Sequence, residues 1–238
     1  MIQLRIAENV AVLKINGGQS DVHLVLTWDD NFLVLMDTGF PGQKNAIIKA
    51  IASERFCASK LTHIIITHQD IDHIGCVLDL KKHSSDLCIL AHRNEAPYID
   101  GRKVPIKIES KFPEITTLSR EKKMRYERQK EYYDSKRIEI TETVSDGDIL
   151  PLCGGIEIVH TPGHTPGHIV LYLHKSKIMV CGDAVGVVEG KLTAPNPMHT
   201  YDMPKAISSL RKIKKFDICG VVLCHYGYID SIQWDEKI

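Results

Sequence analysis

Short apolar runs alternate with turn residues through the first part of the chain. The runs Val10–Ile15, Val22–Trp28 and 32–36 are rich in β-branched and aliphatic residues, which predicts three strands. Two aspartates and an asparagine at 29–31 separate the last two runs, and such a short polar link is typical of a hairpin turn. The chain is therefore predicted to begin with a sheet of consecutive strands.

A second pattern, with apolar residues three and four positions apart, begins after residue 42. Ala46, Ile47, Ala50 and Ile51 predict a helix over 42–56. Further helices are predicted over 74–83 and 204–216, and further strands at 61–67, 87–91, 155–159, 168–173, 177–181 and 217–224. This order of elements predicts an α+β fold in which two packed sheets carry helices outside, in two similar halves.

One segment, 94–143, is more charged than the rest of the chain. Its central part, 120–133, mixes many charges with Met124, Tyr132 and Tyr133. Two interpretations stay open: a helix whose charges face water, or a helical insertion that covers a functional site. In the second interpretation, Tyr132 or Tyr133 lies near a substrate.

Composition narrows the class of protein. The 238 residues are 43% hydrophobic and 25% charged, and Lys+Arg 30 balance Asp+Glu 30. A zero net charge argues against general binding of nucleic acid or of an anionic membrane. The chain begins without a secretory signal, contains no apolar run near the roughly 18 residues of a membrane span, and has no CxxC pair. We therefore expect a cytoplasmic protein with its cysteines reduced in the core, and the oligomeric state stays open, a homodimer included.

Histidine and aspartate residues stand just past the ends of four predicted strands, at 68–73, 161–168, 182–183 and 224–225. Because strand ends gather at one edge of a sheet, these side chains can converge on one site. The densest group lies within 68–73 and consists of His68, Asp70, Asp72 and His73.

This group has donors of the kind that bind zinc, iron or manganese. Asp72 could cap the following helix, but capping would leave His68, Asp70 and His73 unexplained. The group therefore predicts a metal site. Isolated histidines are more often loop or hydrogen-bonding residues, and we place six of them in that class: His23, His63, His83, His92, His174 and His199.

These motifs together resemble the metallo-β-lactamase superfamily. The similarity comprises His68-x-Asp70-x-Asp72-His73-x-Gly75, an earlier Asp37, the Thr-Pro-Gly-His-Thr-Pro-Gly-His run at 161–168, Gly182-Asp183 and a late His225. It spans nearly the whole chain and implies one domain over 1–238, a four-layer αβ/βα sandwich with a two-metal site on one edge. The 161–168 run is most similar to the glyoxalase II and lactonase branch.

The resemblance also implies roles for individual residues. Two divalent ions per chain are expected, with zinc as the first choice and iron or manganese as alternatives. The implied metal ligands are His68, Asp70 and His164 for one ion, Asp72, His73 and His225 for the other, and Asp183 for both. Asp37 and His168 would orient these ligands. A water or hydroxide between the ions would attack the substrate, and Asp72 would have a catalytic role in guiding a proton to the leaving group.

The chain departs from the family at two informative positions. The family usually has histidine where this chain has Asp70, so three carboxylates and one hydroxide would balance two divalent ions in a formally neutral site. Quorum-quenching lactonases have a tyrosine shortly after the bridging aspartate, whereas Asp183 is followed by Ala-Val-Gly-Val. An oxyanion donor would then have to come from Tyr226, Tyr228 or a tyrosine of the insertion.

The function implied is hydrolysis of a small ester, thioester or lactone. Rival hypotheses on the same fold are an iron-dependent redox enzyme similar to sulfur dioxygenases, a nuclease or phosphodiesterase, and a binding module without activity. A complete ligand set disfavours the binding module. The neutral net charge disfavours long nucleic acid as a substrate.

Overall fold

Two β-sheets lie face to face in the structure, a computed structural model that describes residues 3–16, 21–84, 86–110 and 117–236. The first sheet has seven strands, each paired with the next along the chain. They are β1 (Gln3–Ala7), β2 (Val10–Ile15), β3 (Val22–Trp28), β4 (Leu33–Met36), β5 (His63–Ile66), β6 (Cys88–His92) and β7 (Glu142–Val144). Pairing is antiparallel from β1 to β4 and parallel from β4 to β7.

The second sheet has six strands, and a small hairpin lies beside it. Its strands in chain order are β8 (Ile149–Leu150), β9 (Ile156–His160), β10 (Ile169–Leu173), β11 (Ile178–Val180), β14 (Gly220–Leu223) and β15 (Gly227–Ile229). The hairpin consists of β12 (Gly186–Val188) and β13 (Lys191–Thr193). Among the described strands of this sheet, β11 and β14 alone pair in parallel, and they are joined through a helix.

Seven α-helices complete the described part of the chain. They are α1 (Lys44–Ser53), α2 (Ile71–Ile74), α3 (Val77–Lys81), α4 (Ala96–Ile99), α5 (Ile106–Glu109), α6 (Arg120–Ser135) and α7 (Met203–Ile213). Apolar residues of α1 and α3 pack on the outer face of the first sheet, and those of α7 pack on the outer face of the second. The order helix, sheet, sheet, helix confirms the predicted four-layer αβ/βα sandwich.

The central core lies between the two sheets. Val25, Met36 and Ile65 of the first sheet meet Ile158 and Leu171 of the second, and all five are buried. Burying one such side chain contributes about 1.5–3 kcal/mol. This packing fixes the position of one sheet relative to the other. The loops at their common edge are positioned as a result.

Most predicted elements are present within two or three residues of their predicted bounds. The 29–31 link is a hairpin turn, in which Asp29 Oδ1 accepts hydrogen bonds from the backbone N–H groups of Asn31 and Phe32 at 2.8 Å. Sequence patterns missed the short or edge strands β1, β7, β8, β12, β13 and β15. These strands are short and partly exposed, so they lack the continuous apolar run that predicts the equally short but fully buried β4 and β11.

The predicted helix over 74–83 is wrong in its bounds. A short helix, α2, begins earlier at Ile71, and a second, α3, follows after a break at Gly75 and Cys76. The break arises because the Gly75 N–H donates to the Gly39 carbonyl and the Cys76 N–H donates to Thr38 Oγ1. Those two N–H groups therefore cannot continue a helical ladder.

Two further sequence expectations concern cysteines and membranes. Cys57 and Cys219 are exposed, so the prediction that the cysteines are core residues is wrong for these two. Among the helices of the described ranges, none combines the length and the apolar character needed to cross a bilayer.

Candidate metal centre

The loops that follow β5, β9, β11 and β14 meet at one edge of the sandwich. They carry the groups 68–73, 161–168, 182–183 and 224–225, which the sequence predicted to converge. Asp70, the residue that precedes α2, does not cap this helix by a side-chain hydrogen bond. The carboxylates of this loop are thus free to face the histidines of the other loops.

One donor group consists of His68, Asp70, His164 and Asp183, whose ligand atoms lie within 4.8 Å of one another. Asp70 Oδ2 is 3.4 Å from His68 Nε2 and 3.1 Å from His164 Nε2. Asp183 Oδ2 is 3.5 Å from His164 Nε2. Two imidazoles and two carboxylates around one small volume form a suitable set for zinc, iron or manganese.

A second donor group shares Asp183 and adds His73, Cys224 and His225. Asp183 Oδ1 is 3.6 Å from His73 Nε2, and Asp183 Oδ2 is 3.4 Å from His225 Nε2. Asp72 Oδ2 lies 3.3 Å from His225 Nε2 on the same side. Asp183 therefore stands between the two groups, as expected for a bridging ligand.

Sequence reasoning missed Cys224 in this group, because its position in an apolar run is typical of a core residue. Its side chain is buried and lies with the donor atoms of the second group. Burial raises the pKa of the Cys224 thiol, which favours the protonated form that packs as a small apolar group.

The residues present fit a pair of divalent ions. Among the described residues, His68 Nε2, His73 Nε2 and Asp183 Oδ1 are buried and lack hydrogen-bond partners. A buried polar atom without a partner costs about 1–3 kcal/mol. All three atoms belong to the donor groups, so a ligated cation would satisfy them.

Asp37 orients His73 and the loop that begins at Thr67. Its Oδ2 accepts hydrogen bonds from His73 Nδ1 at 2.8 Å and from Thr67 Oγ1 at 2.8 Å, and its Oδ1 accepts one from the Thr67 N–H. The contact to Nδ1 leaves His73 Nε2 facing Asp183. This is the arrangement in which a carboxylate fixes the tautomer of a metal-binding histidine.

His168 positions Asp183 through the backbone. Its Nε2 accepts a hydrogen bond from the Asp183 N–H at 3.2 Å, and its Nδ1 contacts Thr161 Oγ1 at 2.9 Å. Gly182 lies so close to this ring that a Cβ there would be 2.9 Å from His168 Nε2. Only glycine therefore allows the two loops to approach this closely.

The charges of the site favour ionised carboxylates. Burial alone would raise the pKa values of Asp70 and Asp183, but the neighbouring histidines hold both well below the ordinary range. Hydrogen bonds that His225 donates to the carboxylates of Asp183 and Asp72 raise its pKa to about 11. Ionised carboxylates are the form that ligates a cation, and cation binding would displace the proton from His225.

A buried hydrogen-bond network that the sequence did not reveal connects the loops 68–73 and 161–168, which carry candidate metal ligands. Glu95 Oε1 accepts hydrogen bonds from the Gln69 N–H at 2.9 Å and from Gln69 Nε2 at 2.8 Å. Its Oε2 accepts one from the Gly167 N–H at 2.7 Å. Glu95 is fully buried, and its position at the start of a charged segment gave no signal of this role.

The insertion contributes a second residue that the sequence did not reveal. Lys107 of α5 extends its ammonium group against Asp70 Oδ2 and lies 2.7 Å from His164 Nε2. The Ile106 N–H donates to Gln69 Oε1 at 2.8 Å, and this hydrogen bond connects α5 to the 68–73 loop, called the metal loop below. One lysine among many in a charged segment has no pattern that distinguishes it.

A cavity of about 450 Å³ opens over both donor groups. Tyr133 and Tyr226 line it, together with Lys107 and His199. The sequence places His199 among loop or hydrogen-bonding histidines, whereas in the structure it ends a short 3₁₀ helix, Pro197–His199, at the cavity wall. Tyr132 instead donates its hydroxyl to the Gly75 carbonyl at 3.3 Å, so of Tyr132 and Tyr133 it is Tyr133 that lies in the described cavity wall.

Comparison with known proteins agrees with this fold. The family model of the metallo-β-lactamase superfamily matches residues 15–225. The probable metallo-hydrolase YflN of Bacillus subtilis is 32% identical over 198 residues, covering 76% of this chain and 70% of its own. Hydroxyacylglutathione hydrolase GloC of Haemophilus influenzae is 26% identical over 236 residues, covering 96% of this chain and 95% of its own.

Solved structures share the fold at lower identity. The metallo-β-lactamase family protein TTHA1429 of Thermus thermophilus superposes with a TM-score of 0.72 at 20% identity, covering 95% of this chain and 76% of that protein. The order of the layers, the match over most of the chain and the donor groups at one edge lead to the same assignment. The chain belongs to the metallo-β-lactamase superfamily of metallo-hydrolases.

Proposed function

We propose that the protein hydrolyses a small thioester, ester or lactone at a dinuclear metal centre. One observation carries the proposal: two donor groups share Asp183 and face one cavity of about 450 Å³. A cavity of this size is typical of sites for small molecules. When bound, two divalent ions would activate a water and polarise the carbonyl of the substrate.

The ligands divide between the two positions as their contacts suggest. His68, Asp70 and His164 would hold one ion, because Asp70 Oδ2 contacts both histidines. Asp72, His73 and His225 would hold the other, with Asp183 common to both. Histidine and carboxylate suit zinc, and three carboxylates also suit iron or manganese.

The chain's own residues would orient the reactants and move protons. Asp72 lines the cavity beside His225, so it can accept a proton and deliver it to the leaving group. The cavity wall contributed by Ile71, Val185 and Tyr133 offers apolar surface for an acyl group or an apolar leaving group.

Thioesters are the first class to test. Hydroxyacylglutathione hydrolase GloC, which this chain resembles over nearly its full length, acts by its name on an acylglutathione thioester. The test is a panel of a hydroxyacylglutathione, S-phenyl thioacetate, phenyl acetate and a simple lactone, assayed with the zinc-, manganese- and iron-loaded protein. Hydrolysis of a member of this panel that stops on chelation and returns on adding metal is the expected result.

Two further substrates, assayed with the same metal-loaded protein, address the rival hypotheses. A phosphodiester tests the nuclease hypothesis, and a persulfide with dioxygen tests the iron-dependent dioxygenase hypothesis. Metal-dependent turnover of either, without hydrolysis of any carbonyl substrate, would contradict the proposed function.

A further inference from the structure

Lys107 brings a positive charge from the insertion into the metal site. Its ammonium group contacts Asp70 Oδ2 and lies 2.7 Å from His164 Nε2, two donors of the first group. It also lines the cavity in which a substrate would lie. The ammonium therefore lies between the donors of one ion and the cavity.

The position of Lys107 is fixed by buried neighbours on both sides. Ile106 and Ile108 are buried, and the Ile106 N–H donates to Gln69 Oε1. Gln69 is itself held by Glu95 through two hydrogen bonds. The backbone of α5 is thus anchored to the metal loop, while the four-carbon stem of lysine lets the ammonium adjust its position.

The pairing of Lys107 with Asp70 changes the net charge around the candidate metal site. Aspartate at position 70 makes the two-metal site formally neutral, whereas histidine would leave one positive charge. Lys107 restores that charge and places it on the cavity side of Asp70. A neutral metal pair attracts developing negative charge weakly, so a nearby ammonium would have a large effect.

Two alternative sources of a donor are less suited to this role. No hydroxyl side chain follows Asp183 in the 184–188 segment. The Tyr133 hydroxyl already donates to the Gln69 carbonyl at 3.3 Å. Of the described residues that line the cavity, Lys107 is the one lysine or arginine.

We propose that Lys107 is a catalytic residue that stabilises the oxyanion formed on the scissile carbonyl. This inference rests on the proposed function. In the reaction, the oxygen of a water bonds to the acyl carbon while the carbonyl π pair moves onto its oxygen. One N–H of Lys107 donates a hydrogen bond to that oxygen. When the oxyanion collapses, the carbonyl re-forms and the bond to sulfur or oxygen breaks; one proton of the water goes to the leaving group and the other to solvent.

This role requires Lys107 to exchange partners. Ligation of a cation by Asp70 and His164 would occupy the atoms that the ammonium now contacts. The ammonium would then turn toward the cavity while α5 stays anchored at Ile106. A substrate oxyanion would replace the Asp70 contact and keep the ammonium paired.

Lys107→Met tests this role, with Lys103→Met as the matched control. Lys103 lies on the same segment but over the Tyr98 ring, at 5.3 Å, outside the cavity wall. With S-phenyl thioacetate or phenyl acetate, whichever the wild type hydrolyses, Lys107→Met should lower kcat about 10²-fold and change KM less than about threefold. Lys103→Met should match the wild type.

Two readouts besides activity complete the experiment. The first is calorimetric binding of phenyl methylphosphonate, a tetrahedral anion that imitates the intermediate, which should weaken about 10²-fold in Lys107→Met. The second is metal content, which should stay at the wild-type value.

Each other outcome overturns the proposal. A kcat within about threefold of the wild type at full metal content, or a rise in KM alone, would exclude oxyanion stabilisation. Loss of metal in Lys107→Met would make Lys107 a support of the metal site instead. If the wild type hydrolyses no carbonyl substrate, the proposed function fails and this role fails with it; if the wild type is active and Lys107→Met equals it, only the role of Lys107 fails.

Discussion

Replacement of Glu95 by alanine is the most informative perturbation outside the donor groups. The Glu95 carboxylate accepts three backbone or side-chain N–H groups, two from Gln69 and one from Gly167. Gln69 follows His68 directly, and Gly167 precedes His168. One buried side chain thus connects the loop that carries four predicted ligands with the loop that carries His164.

The expected loss of stability follows from the number of N–H groups that lose their acceptor. Glu95→Ala leaves three buried N–H groups unpaired, and each costs at least about 1 kcal/mol, so the free energy of unfolding should fall by about 3 kcal/mol or more. For a chain of this size that corresponds to a fall in Tm of about 6–12 °C. Glu95→Gln keeps one acceptor oxygen and should cost about 1–2 kcal/mol.

Glu95→Ala should also lower the affinity of the site for metal. Without Glu95, the Gln69 backbone and the anchor of α5 both lose their buried partner, so the His68 and Asp70 ligands are less well oriented. Disturbing such supporting contacts typically lowers metal affinity 10–100-fold. Urea unfolding followed by circular dichroism measures the first effect, and competition with a chromophoric chelator measures the second.

Glu139→Gln is the matched control for this experiment. Glu139 is a highly exposed carboxylate that pairs with Lys81 at 3.4 Å, so its replacement should change stability by less than about 0.5 kcal/mol. If Glu95→Ala unfolds with the same free energy as Glu139→Gln and retains wild-type metal affinity, the network has no supporting role and the reasoning is refuted.

Three further predictions address pH, charge and the insertion. Burial and the stacked His160 ring lower the pKa of His92 to about 4 from 6.5, so its neutral form stabilises the fold above pH 6.5 and this contribution is lost as pH falls through 4. His92→Phe should therefore lose about 2–4 kcal/mol less stability than the wild type between pH 7 and pH 4 in urea unfolding, and an equal loss would contradict this. Asp70→His removes a negative charge beside the attacking water and should move the acidic limb of the pH–rate profile down by about one pH unit with metal content retained; an unmoved limb would argue against Asp70 as a ligand. Tyr133→Ala removes an aromatic wall of the cavity and should raise KM about tenfold in a steady-state assay, whereas an unchanged KM would favour a helix that has no contact with substrate.

The sequence allowed the layers of the fold to be predicted because its apolar runs are long where strands and helices are fully buried. The strands β2, β3 and β4 and the helix α1 show this, since each presents its apolar face to a core that the pattern already implies. The bounds of α2 and α3 depend instead on bonds from Gly75 and Cys76 to a distant loop. Such contacts between remote residues leave no local pattern.

The candidate site likewise contains residues that a local sequence pattern indicates and residues whose roles depend on contacts between remote segments. His68, Asp72 and His225 belong to motifs whose spacing indicates metal binding, and the structure brings them together. Glu95, Lys107 and Cys224 instead lie in segments whose composition is ordinary for a charged insertion or a buried strand. Their roles depend on which loop the fold places opposite them, and a single sequence does not contain that information.

The number of metal ions per chain tests the central claim most directly. Elemental analysis of the purified wild type, supplied with zinc or manganese, should give two ions per chain, and Asp183→Ala should lose at least one because its carboxylate contacts both donor groups. His83→Ala, which removes an exposed histidine away from the site, should keep both ions. A wild type that holds one ion and gains none on adding metal, or an Asp183→Ala variant that retains two, would contradict a dinuclear centre bridged by Asp183.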